Sequence, residues 1–164
     1  MLIAFSGLPG TGKTTIARLL ARRWPAVYVR VDAIEQALLR AGLPAPPGPE
    51  GYAVAYAVAC ENLRLGHRVV ADGVNAVQVA RTAWEGVARQ CQVACLPVHL
   101  FCGDASEHRR RLVERQADIP GHTLPTWEQV LALPFDPVGS DGLSIDTCAC
   151  SAESAVDRIL QRVG

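Results

Sequence analysis

The chain has 164 residues, of which 49% are hydrophobic and 20% charged, and its formal net charge is zero. This composition predicts one folded domain over residues 1–164 and excludes a disordered or fibrous chain. The balanced charge argues against a protein held on nucleic acid by a broad basic face. No apolar stretch approaches the roughly 20 residues of a membrane span, and strand-like residues from Leu2 onward leave no room for a signal peptide. We therefore expect a cytoplasmic protein.

The cysteines do not follow the spacing of a zinc site or a disulfide-rich secreted domain. There are six of them, and no C-x-x-C pair occurs: Cys60, Cys91, Cys95, Cys102, Cys148 and Cys150. We expect reduced, mostly buried thiols that act as small hydrophobic side chains.

Short apolar segments alternate with helical patterns along the chain. Strands are predicted at residues 2–5, 26–31, 68–71, 93–101 and 143–145. Helices are predicted at residues 14–23, 32–40, 51–65, 77–90, 104–116 and 152–163, with a short helix opened by a capping box at 126–129. This alternation predicts an α/β fold whose parallel sheet is covered by helices on both faces. In such folds, ligands bind beyond the carboxyl ends of the strands.

A glycine-rich segment joins the first strand to the first helix and fits the pattern G-x-x-x-x-G-K-[ST]. Its backbone N–H groups and the helix N-terminus can surround a phosphate, Lys13 can reach the β- and γ-phosphates, and Thr14 can ligate Mg²⁺. Lys13 is the only lysine among 16 basic residues, which weighs against a chance glycine-rich turn. We assign nucleotide binding to Gly7, Leu8, Pro9, Gly10, Thr11, Gly12, Lys13, Thr14 and Thr15, and we also assign a catalytic role to Lys13.

The type of nucleotide chemistry is narrowed by two missing motifs. Common GTPases read guanine with N-K-x-D, which needs a second lysine that this chain does not have. Motor-type ATPases end a strand with Asp-Glu to activate water, whereas here Asp72 is followed by Gly73. The pattern favours transfer to an acceptor other than water.

Asp32 directly follows the second predicted strand. A kinase that phosphorylates a hydroxyl needs a carboxylate to orient the hydroxyl and accept its proton, and we assign this catalytic role to Asp32. The alternative is a structural capping box formed by Asp32 and Glu35. Glu35 is the reserve candidate for the base.

Polar residues also follow the third predicted strand. Asp72 is predicted to be a Mg²⁺ ligand or an acceptor contact, although Asp-Gly is also a common turn dipeptide. Asn75 could face the acceptor or serve the fold. Arg81 could bind an anionic acceptor group or lie on a solvated helix face.

Arginines crowd the predicted helix at 104–116. Arg111 and Arg115 share a face at i,i+4 spacing, and mobile arginines commonly neutralise charge on a transferred phosphoryl group. We assign catalysis to Arg115 and nucleotide contact to Arg111, while Arg109 and Arg110 are expected to face solvent. The alternative is a solvated helix whose arginines pair with acidic neighbours. The loop at 118–125 has the length and composition of a lid, and no role is predicted for the histidines.

The ordered segments GLPGTGKTT, VDAIEQAL, VVADGVN, RRRLVER and IDT resemble the small P-loop kinases grouped as AAA-domain ATP-binding proteins, of the zeta toxin, chloramphenicol phosphotransferase and polynucleotide kinase type. The plan is also similar to that of adenylylsulfate, gluconate and shikimate kinases. The resemblance covers nearly the whole chain and implies a three-layer P-loop fold with a five-stranded parallel sheet of order 2-3-1-4-5. It implies ATP and Mg²⁺ as cofactors, and it places the first arginine of R-x-x-x-R, Arg111, on adenine and the second, Arg115, on phosphates.

The resemblance implies transfer of the γ-phosphoryl group of ATP to a hydroxyl of a small-molecule acceptor, with an acceptor-binding region at 42–66 and a lid region at 104–133. The segment at 42–56 matches no substrate signature and carries no Arg or Lys. A polynucleotide 5′-hydroxyl kinase is an alternative that would want a basic groove and stacking aromatics. An ATP-binding module without transfer is another. The sequence gives no indication of oligomeric state.

Overall fold

The computed structural model describes residues 1–45 and 48–164. Its strands are β1 (Leu2–Ser6), β2 (Val27–Arg30), β3 (Val69–Asp72), β4 (Cys95–Phe101) and β5 (Leu143–Asp146). Its helices are α1 (Lys13–Arg23), α2 (Val31–Arg40), α3 (Glu50–Arg64), α4 (Gln78–Gln90), α5 (Ala105–Glu114), α6 (Trp127–Ala132) and α7 (Ala152–Val163). In the part of the chain so described, no helix is long and apolar enough to cross a bilayer.

The strands form one parallel sheet in the order β2-β3-β1-β4-β5, which confirms the predicted topology. β1 lies at the centre, with Ile3 opposite both Val70 of β3 and Leu96 of β4. Because helices cover both faces of the sheet, β1 is buried along its whole length, as a continuous apolar run predicts. The carboxyl ends of the strands therefore meet at one edge, where β1 runs into the glycine-rich loop.

Alternating side chains of β1 divide the core between the two faces of the sheet. Ile3 and Phe5 pack with apolar residues of α1 and α7, whereas Leu2 and Ala4 pack with residues of α3 and α4. This division follows from the two-residue period of a strand. It fixes α1 and the phosphate loop on one side of the sheet edge and α3 and α4 on the other.

Element boundaries differ from the predictions where the site begins. β2 ends at Arg30 and α2 begins at Val31, so Asp32 is the second residue of the helix and not, as predicted, the first. α5 ends at Glu114, two residues before the predicted end at 116, and Arg115 has an extended backbone with φ −65° and ψ 132°. Arg111 and Arg115 therefore do not share a helix face, because Arg115 already belongs to the segment that leads into the lid.

The expectation of reduced, mostly buried thiols is wrong in two respects. Cys102 and Cys148 form a disulfide whose Cα atoms are 5.3 Å apart, and of the free cysteines only Cys60 is fully buried. The fold explains the pairing, since Cys102 follows β4 and Cys148 follows β5, and the register pairs Phe101 with Asp146 at the end of these neighbouring strands. A separation of 46 residues in sequence concealed that proximity.

Candidate functional site

The loop between β1 and α1 has the backbone of a phosphate cradle. Gly7 has φ 145°, and a Cβ there would collide with the carbonyl oxygen of Leu100, so only glycine lets the loop leave the sheet at this point. Gly12 has φ 83° and open space where a Cβ would lie. The loop is closed from within by Thr11, whose side chain and backbone N–H both donate to the Leu8 carbonyl, at 2.9 and 3.3 Å. This geometry fits the phosphates of a nucleotide.

Lys13 lies at the floor of the loop and is only 8% exposed. Its Nζ donates a 2.8 Å hydrogen bond to the same Leu8 carbonyl. Burial lowers the pKa of Lys13 to about 8, and the nearby carboxylates of Asp72 and Asp32 oppose that shift. A buried ammonium with one carbonyl partner is poised to gain from an anion in the loop.

Asp72 joins the phosphate loop to β2. Its Oδ2 accepts hydrogen bonds from the Thr14 hydroxyl at 2.8 Å and from the Tyr28 hydroxyl at 2.6 Å. Burial first, and then Asp72, raise the pKa of Tyr28, which stays a neutral donor. Asp72 is the last residue of β3 and 3% exposed, so the alternative of a turn residue is wrong. A hydroxyl and a carboxylate oxygen in contact form a donor set that fits Mg²⁺.

Asp32 and Glu35 lie one turn apart on α2 and line the same cavity as the phosphate loop. The alternative capping role is wrong, because the residue that caps α2 is Arg30 and no side chain makes a capping hydrogen bond there. The Asp32 carboxylate is 3.7 Å from the Arg30 guanidinium and keeps 26% of its side-chain surface exposed. Burial, followed by the charge of Asp32, raises the pKa of Glu35 to about 7.

The arginines of α5 differ in solvent exposure as predicted. Arg109 and Arg110 are exposed, and Arg110 pairs with Glu107 and Glu114 on its own helix. Arg111 is half-buried and donates to Glu107 at 2.7 Å and to the side chain and carbonyl of Thr147, both at 3.1 Å. Arg111 and Arg115 both line the cavity, so it is accessible to each of them despite the early end of α5.

An acidic residue that the sequence analysis did not single out fastens the lid. Asp118 accepts two hydrogen bonds from Arg30, at 2.7 and 3.0 Å, and a third contact of 2.8 Å from Arg18 of α1. The hydrogen bond from Arg30 holds the pKa of Asp118 well below its usual range. Arg40 of α2 adds a hydrogen bond to the Pro120 carbonyl. The segment predicted to be a lid is thus tied to three separate elements beside the phosphate loop.

His108, to which no role was assigned, supports the phosphate loop from below. It is 6% exposed, its Nε2 lies 2.7 Å from the Pro9 carbonyl oxygen, and its ring meets that of Trp127 edge-on at 5.2 Å. A Cβ at Gly10 would lie about 3.1 Å from this ring, so the imidazole packs closely against the loop at that glycine. α5 and α6 therefore hold the position of the loop through one imidazole.

Two predicted acceptor contacts serve the fold instead. Asn75 is 1% exposed, has φ 46°, donates to the Phe5 carbonyl at 2.5 Å and accepts from the Trp84 indole at 3.1 Å. Arg81 is 9% exposed, and its guanidinium donates to backbone carbonyls of residues 75, 76, 136 and 137. Arg81 neither binds the acceptor nor lies on a solvated face, because it fastens the 134–139 segment to the start of α4.

These residues surround a cavity of about 1350 Å³ with two chemically distinct halves. We call one half the nucleotide half, after the role predicted for its residues, and it comprises the phosphate loop, Lys13, Thr14, Thr15, Arg111 and Arg115. We call the other the acceptor half, after the role predicted for Asp32, and it comprises Asp32, Glu35, Tyr52, Tyr56 and the apolar residues Val77, Val79, Ala80 and Ala83. Asp72 lies between them. Gly7, Leu8 and Thr11 do not line the cavity and instead shape the loop behind it.

The residues missed by sequence reasoning differ in how far they could have been found. Tyr28 and Arg30 are two residues apart in β2, so their side chains lie on the same face of the sheet. That face is the one on which both approach Asp72, and the two-residue spacing could have indicated this. Asp118 lies 88 residues from Arg30, and His108 lies 99 residues from Pro9. No local pattern announces contacts at those separations.

A family model described as an AAA domain matches residues 2–134. The chain belongs to this AAA-domain family. A UPF0200 protein from Aeropyrum pernix is 31% identical over 100 residues, which cover 51% of this chain and 54% of that protein. The chain therefore spans about half the length of that curated relative.

Solved structures share the fold across nearly the full chain. A candidate kinase from Chloroflexus aurantiacus aligns with a TM-score of 0.77 at 19% identity, covering 98% of this chain and 96% of its own. Chaetomium thermophilum Kti12, solved with ADP-AlF3, aligns at 0.71 and 20% identity, covering 100% of both chains. The APS kinase CysC of Mycobacterium tuberculosis, solved with AMPPNP and APS, aligns at 0.69 and 16% identity, covering 98% and 95%. At these identities the likeness shows the fold, which is that of P-loop kinases.

Proposed function

We propose that this protein is an ATP-dependent phosphotransferase that moves the γ-phosphoryl group of ATP to a hydroxyl of a small molecule. The observation that carries the proposal is the shared cavity. The phosphate loop, the Thr14–Asp72 pair and the Asp32 carboxylate all open onto it. A hydrolase would need no second pocket, whereas a kinase needs a place for an acceptor beside the phosphates.

In this proposal the nucleotide half binds the phosphates. The backbone N–H groups of the loop and the N-terminus of α1 surround them, and Lys13 exchanges its Leu8 carbonyl partner for β- and γ-phosphate oxygens. An anion restores the charged form of Lys13 that burial disfavours. In this proposal Arg111, which donates a hydrogen bond to Thr147, packs on the adenine of ATP, and Arg115 contacts the transferred phosphoryl group.

Thr14 and Asp72 are the residues that would hold Mg²⁺, directly or through water. When bound, the ion would neutralise the negative charge of the nucleotide phosphates. Tyr28 donates to Asp72 and keeps its carboxylate oriented toward Thr14.

Asp32 acts on the acceptor. It orients the hydroxyl and accepts its proton as the bond from the acceptor oxygen to the γ-phosphorus forms. The bond from that phosphorus to the β–γ bridging oxygen breaks, and ADP leaves with the electron pair. Arg115 stabilises the charge on the equatorial oxygens during this transfer. The predicted lid, which Asp118 ties to Arg18 and Arg30, would exclude water from the transfer when it closes.

A polynucleotide acceptor is disfavoured by the chemistry of the acceptor half. Its described lining carries no Arg or Lys, and a nucleic-acid strand needs cations along its backbone. An ATP-binding module without transfer is the outcome to be separated by experiment.

The test is transfer of labelled phosphate from γ-labelled ATP with Mg²⁺ to pooled hydroxyl compounds. The pools are nucleosides, sugars, amino alcohols, aminoglycoside and phenicol antibiotics, and 5′-hydroxyl oligonucleotides. Label in a small-molecule pool that disappears in Lys13→Ala and persists in Arg109→Ala supports the proposal. Label on oligonucleotides alone, or tight ATP binding with no transfer to any pool, contradicts it.

A further inference from the structure

The acceptor half has an apolar wall made by two helices. Tyr52 and Tyr56 of α3 lie one turn apart with their rings tilted by 50° and their centroids 5.9 Å apart, and Tyr56 meets Trp84 of α4 edge-on at 4.6 Å. Val77, Val79, Ala80 and Ala83 continue this wall along α4. The rings are anchored from behind, since the Tyr52 hydroxyl accepts from the Asn75 N–H and the Tyr56 hydroxyl donates to the Ala80 carbonyl. The wall is therefore preformed and suits a flat or aliphatic body.

The lysine and arginine side chains that line the cavity all lie on its nucleotide side and lid side, where Glu114, Asp118 and His122 also line it. These cations are Lys13, Arg18, Arg110, Arg111 and Arg115. The acceptor half carries only the carboxyl groups of Asp32 and Glu35 among the described residues, and positions 46 and 47 are both proline. Arg81, the nearest arginine on α4, is committed to four backbone carbonyls. An acceptor bearing an anion would meet like charge here, since Arg30, 3.7 Å from Asp32, is already paired with Asp118 through two hydrogen bonds.

Packing fixes the Glu35 side chain, but its carboxylate has no hydrogen-bond or ion-pair partner among the described residues. A Cβ at Gly51 would collide with the Glu35 Cγ, so α3 approaches α2 at this point only because residue 51 is glycine. The Glu35 carboxylate makes no hydrogen bond or ion pair with any residue in the described ranges 1–45 and 48–164. It lies beside Tyr52 and one helical turn from Asp32. A half-buried carboxylate without a partner gains most from a cationic donor delivered by a ligand.

We propose that the acceptor is an apolar hydroxyl compound bearing an ammonium group, and that Glu35 is the residue that selects the ammonium. This inference rests on the proposed function, since it places the reacting hydroxyl at Asp32. The apolar body lies against Tyr52, Tyr56 and α4, and the ammonium donates to Glu35 one helical turn from the base. Asp32 does the chemistry and Glu35 sets the specificity.

Three phenyl alcohols of similar size test this assignment by binding alone. They are 2-amino-3-phenylpropan-1-ol, which is cationic, 3-phenylpropan-1-ol, which is neutral, and 2-hydroxy-3-phenylpropanoate, which is anionic. Their dissociation constants are measured by calorimetry on the protein saturated with a non-hydrolysable ATP analogue and Mg²⁺. We expect the cation to bind about tenfold more tightly than the neutral alcohol, because it adds one charge-assisted hydrogen bond to Glu35. We expect the anion to bind most weakly of the three.

Glu35→Gln separates a specific role from a general effect. We expect it to bring the cation-to-neutral ratio close to unity while the neutral alcohol binds as before. The matched control is Glu61→Gln on α3, whose side chain is 71% exposed and outside the cavity, and which should leave the ratio unchanged. Unfolding curves of both variants establish that they are folded.

Equal binding of the three alcohols, tightest binding of the anion, or no binding of the cation at millimolar concentration overturns the proposal. An unchanged ratio in Glu35→Gln also overturns it. Failure of the kinase function looks different. In that case the cation preference is present and depends on Glu35, but γ-labelled ATP yields no phosphorylated acceptor in any pool.

Discussion

The nucleotide half of the cavity is built from backbone and cations, whereas the acceptor half is built from helix side chains that pack against one another. In the nucleotide half, Gly7 admits no other residue, because a Cβ there would strike the Leu100 carbonyl oxygen, and Lys13 is a buried ammonium for which we propose a phosphate partner. In the acceptor half, the valines and alanines of α4 could be exchanged without disturbing the sheet. If the proposed roles are right, this fold can keep its phosphate loop unchanged while the side chains that contact the acceptor vary.

The largest effect is expected at the nucleotide half. Lys13→Ala removes the only lysine and with it the charge that meets the phosphates, and we expect kcat for transfer to fall about 10²- to 10³-fold. Steady-state kinetics with γ-labelled ATP measures this loss. Arg109→Ala, an exposed cation on α5, is the control and should retain activity. Equal losses in both variants would mean that net charge, and not the loop, governs the reaction.

The second largest effect is expected on the free energy of unfolding, when the ion pair between Arg30 and Asp118 of the predicted lid is removed. Asp118→Ala leaves Arg30 buried with its bidentate partner removed, and we expect about 1–2 kcal/mol of lost stability at pH 7. The loss is smaller than for a fully buried pair because 34% of the Asp118 side chain is exposed. Urea unfolding measures it.

The pairing of Asp118 also predicts a pH dependence. Because the Arg30 hydrogen bond lowers the pKa of Asp118, its contribution is present above the ordinary aspartate value of 3.8 and is lost as pH falls below it. Asp157→Ala is the matched control, since Asp157 pairs with Arg23 at the same 2.7 Å distance but is 54% exposed. Similar losses of stability in the two variants would contradict the role given to Arg30.

A smaller effect is expected from the support beneath the phosphate loop. His108→Ala removes the hydrogen bond to the Pro9 carbonyl and the contact with Gly10. We expect the KM for ATP to rise by roughly tenfold, the equivalent of one hydrogen bond of about 1.4 kcal/mol, with a smaller change in the acceptor KM. His67→Ala, at an exposed position, should change neither constant. An increase confined to the acceptor KM would show that His108 does not position the loop.

The smallest effect is expected on the pH dependence of stability, through Glu35 in the acceptor half. Burial and Asp32 raise the pKa of Glu35 from 4.5 to about 7, so between these values the folded protein binds more protons than the unfolded chain. Stability therefore falls as pH rises from about 4.5 to about 7. Glu35→Gln lacks this decline, and we expect it to gain about 1 kcal/mol over the parent at pH 8 and nothing at pH 4. A gain that is equal at both pH values would show that Glu35 does not titrate in this range.

The fold could be predicted because its signals are local. Continuous apolar strands and the glycine-rich loop each lie within a few residues of sequence, and the resemblance of their order to P-loop kinases supplied the strand order. Asp32 and Asp72 are predicted to lie in the site because Asp72 ends one strand and Asp32 follows the end of another by two residues. Their roles remain predictions.

The remaining features depend on contacts that no local pattern contains. Asp118 reaches Arg30 across 88 residues, and Cys102 meets Cys148 because β4 and β5 are neighbours. Arg81 was mistaken for a ligand or a solvated residue because its backbone partners at 136 and 137 are 55 and 56 residues away. The end of α5 at Glu114 was missed because the helical charge pattern continues through Arg115.

The central claim is that the two halves perform separate tasks, and Asp32→Asn tests it most directly. The ATP affinity of this variant is measured by calorimetry, and its transfer rate is measured with saturating labelled ATP and acceptor. The claim predicts ATP affinity within about twofold of the parent and a kcat lower by about 10²- to 10⁴-fold, the usual contribution of a general base. Unchanged kcat, or a loss explained wholly by weaker ATP binding, would contradict it.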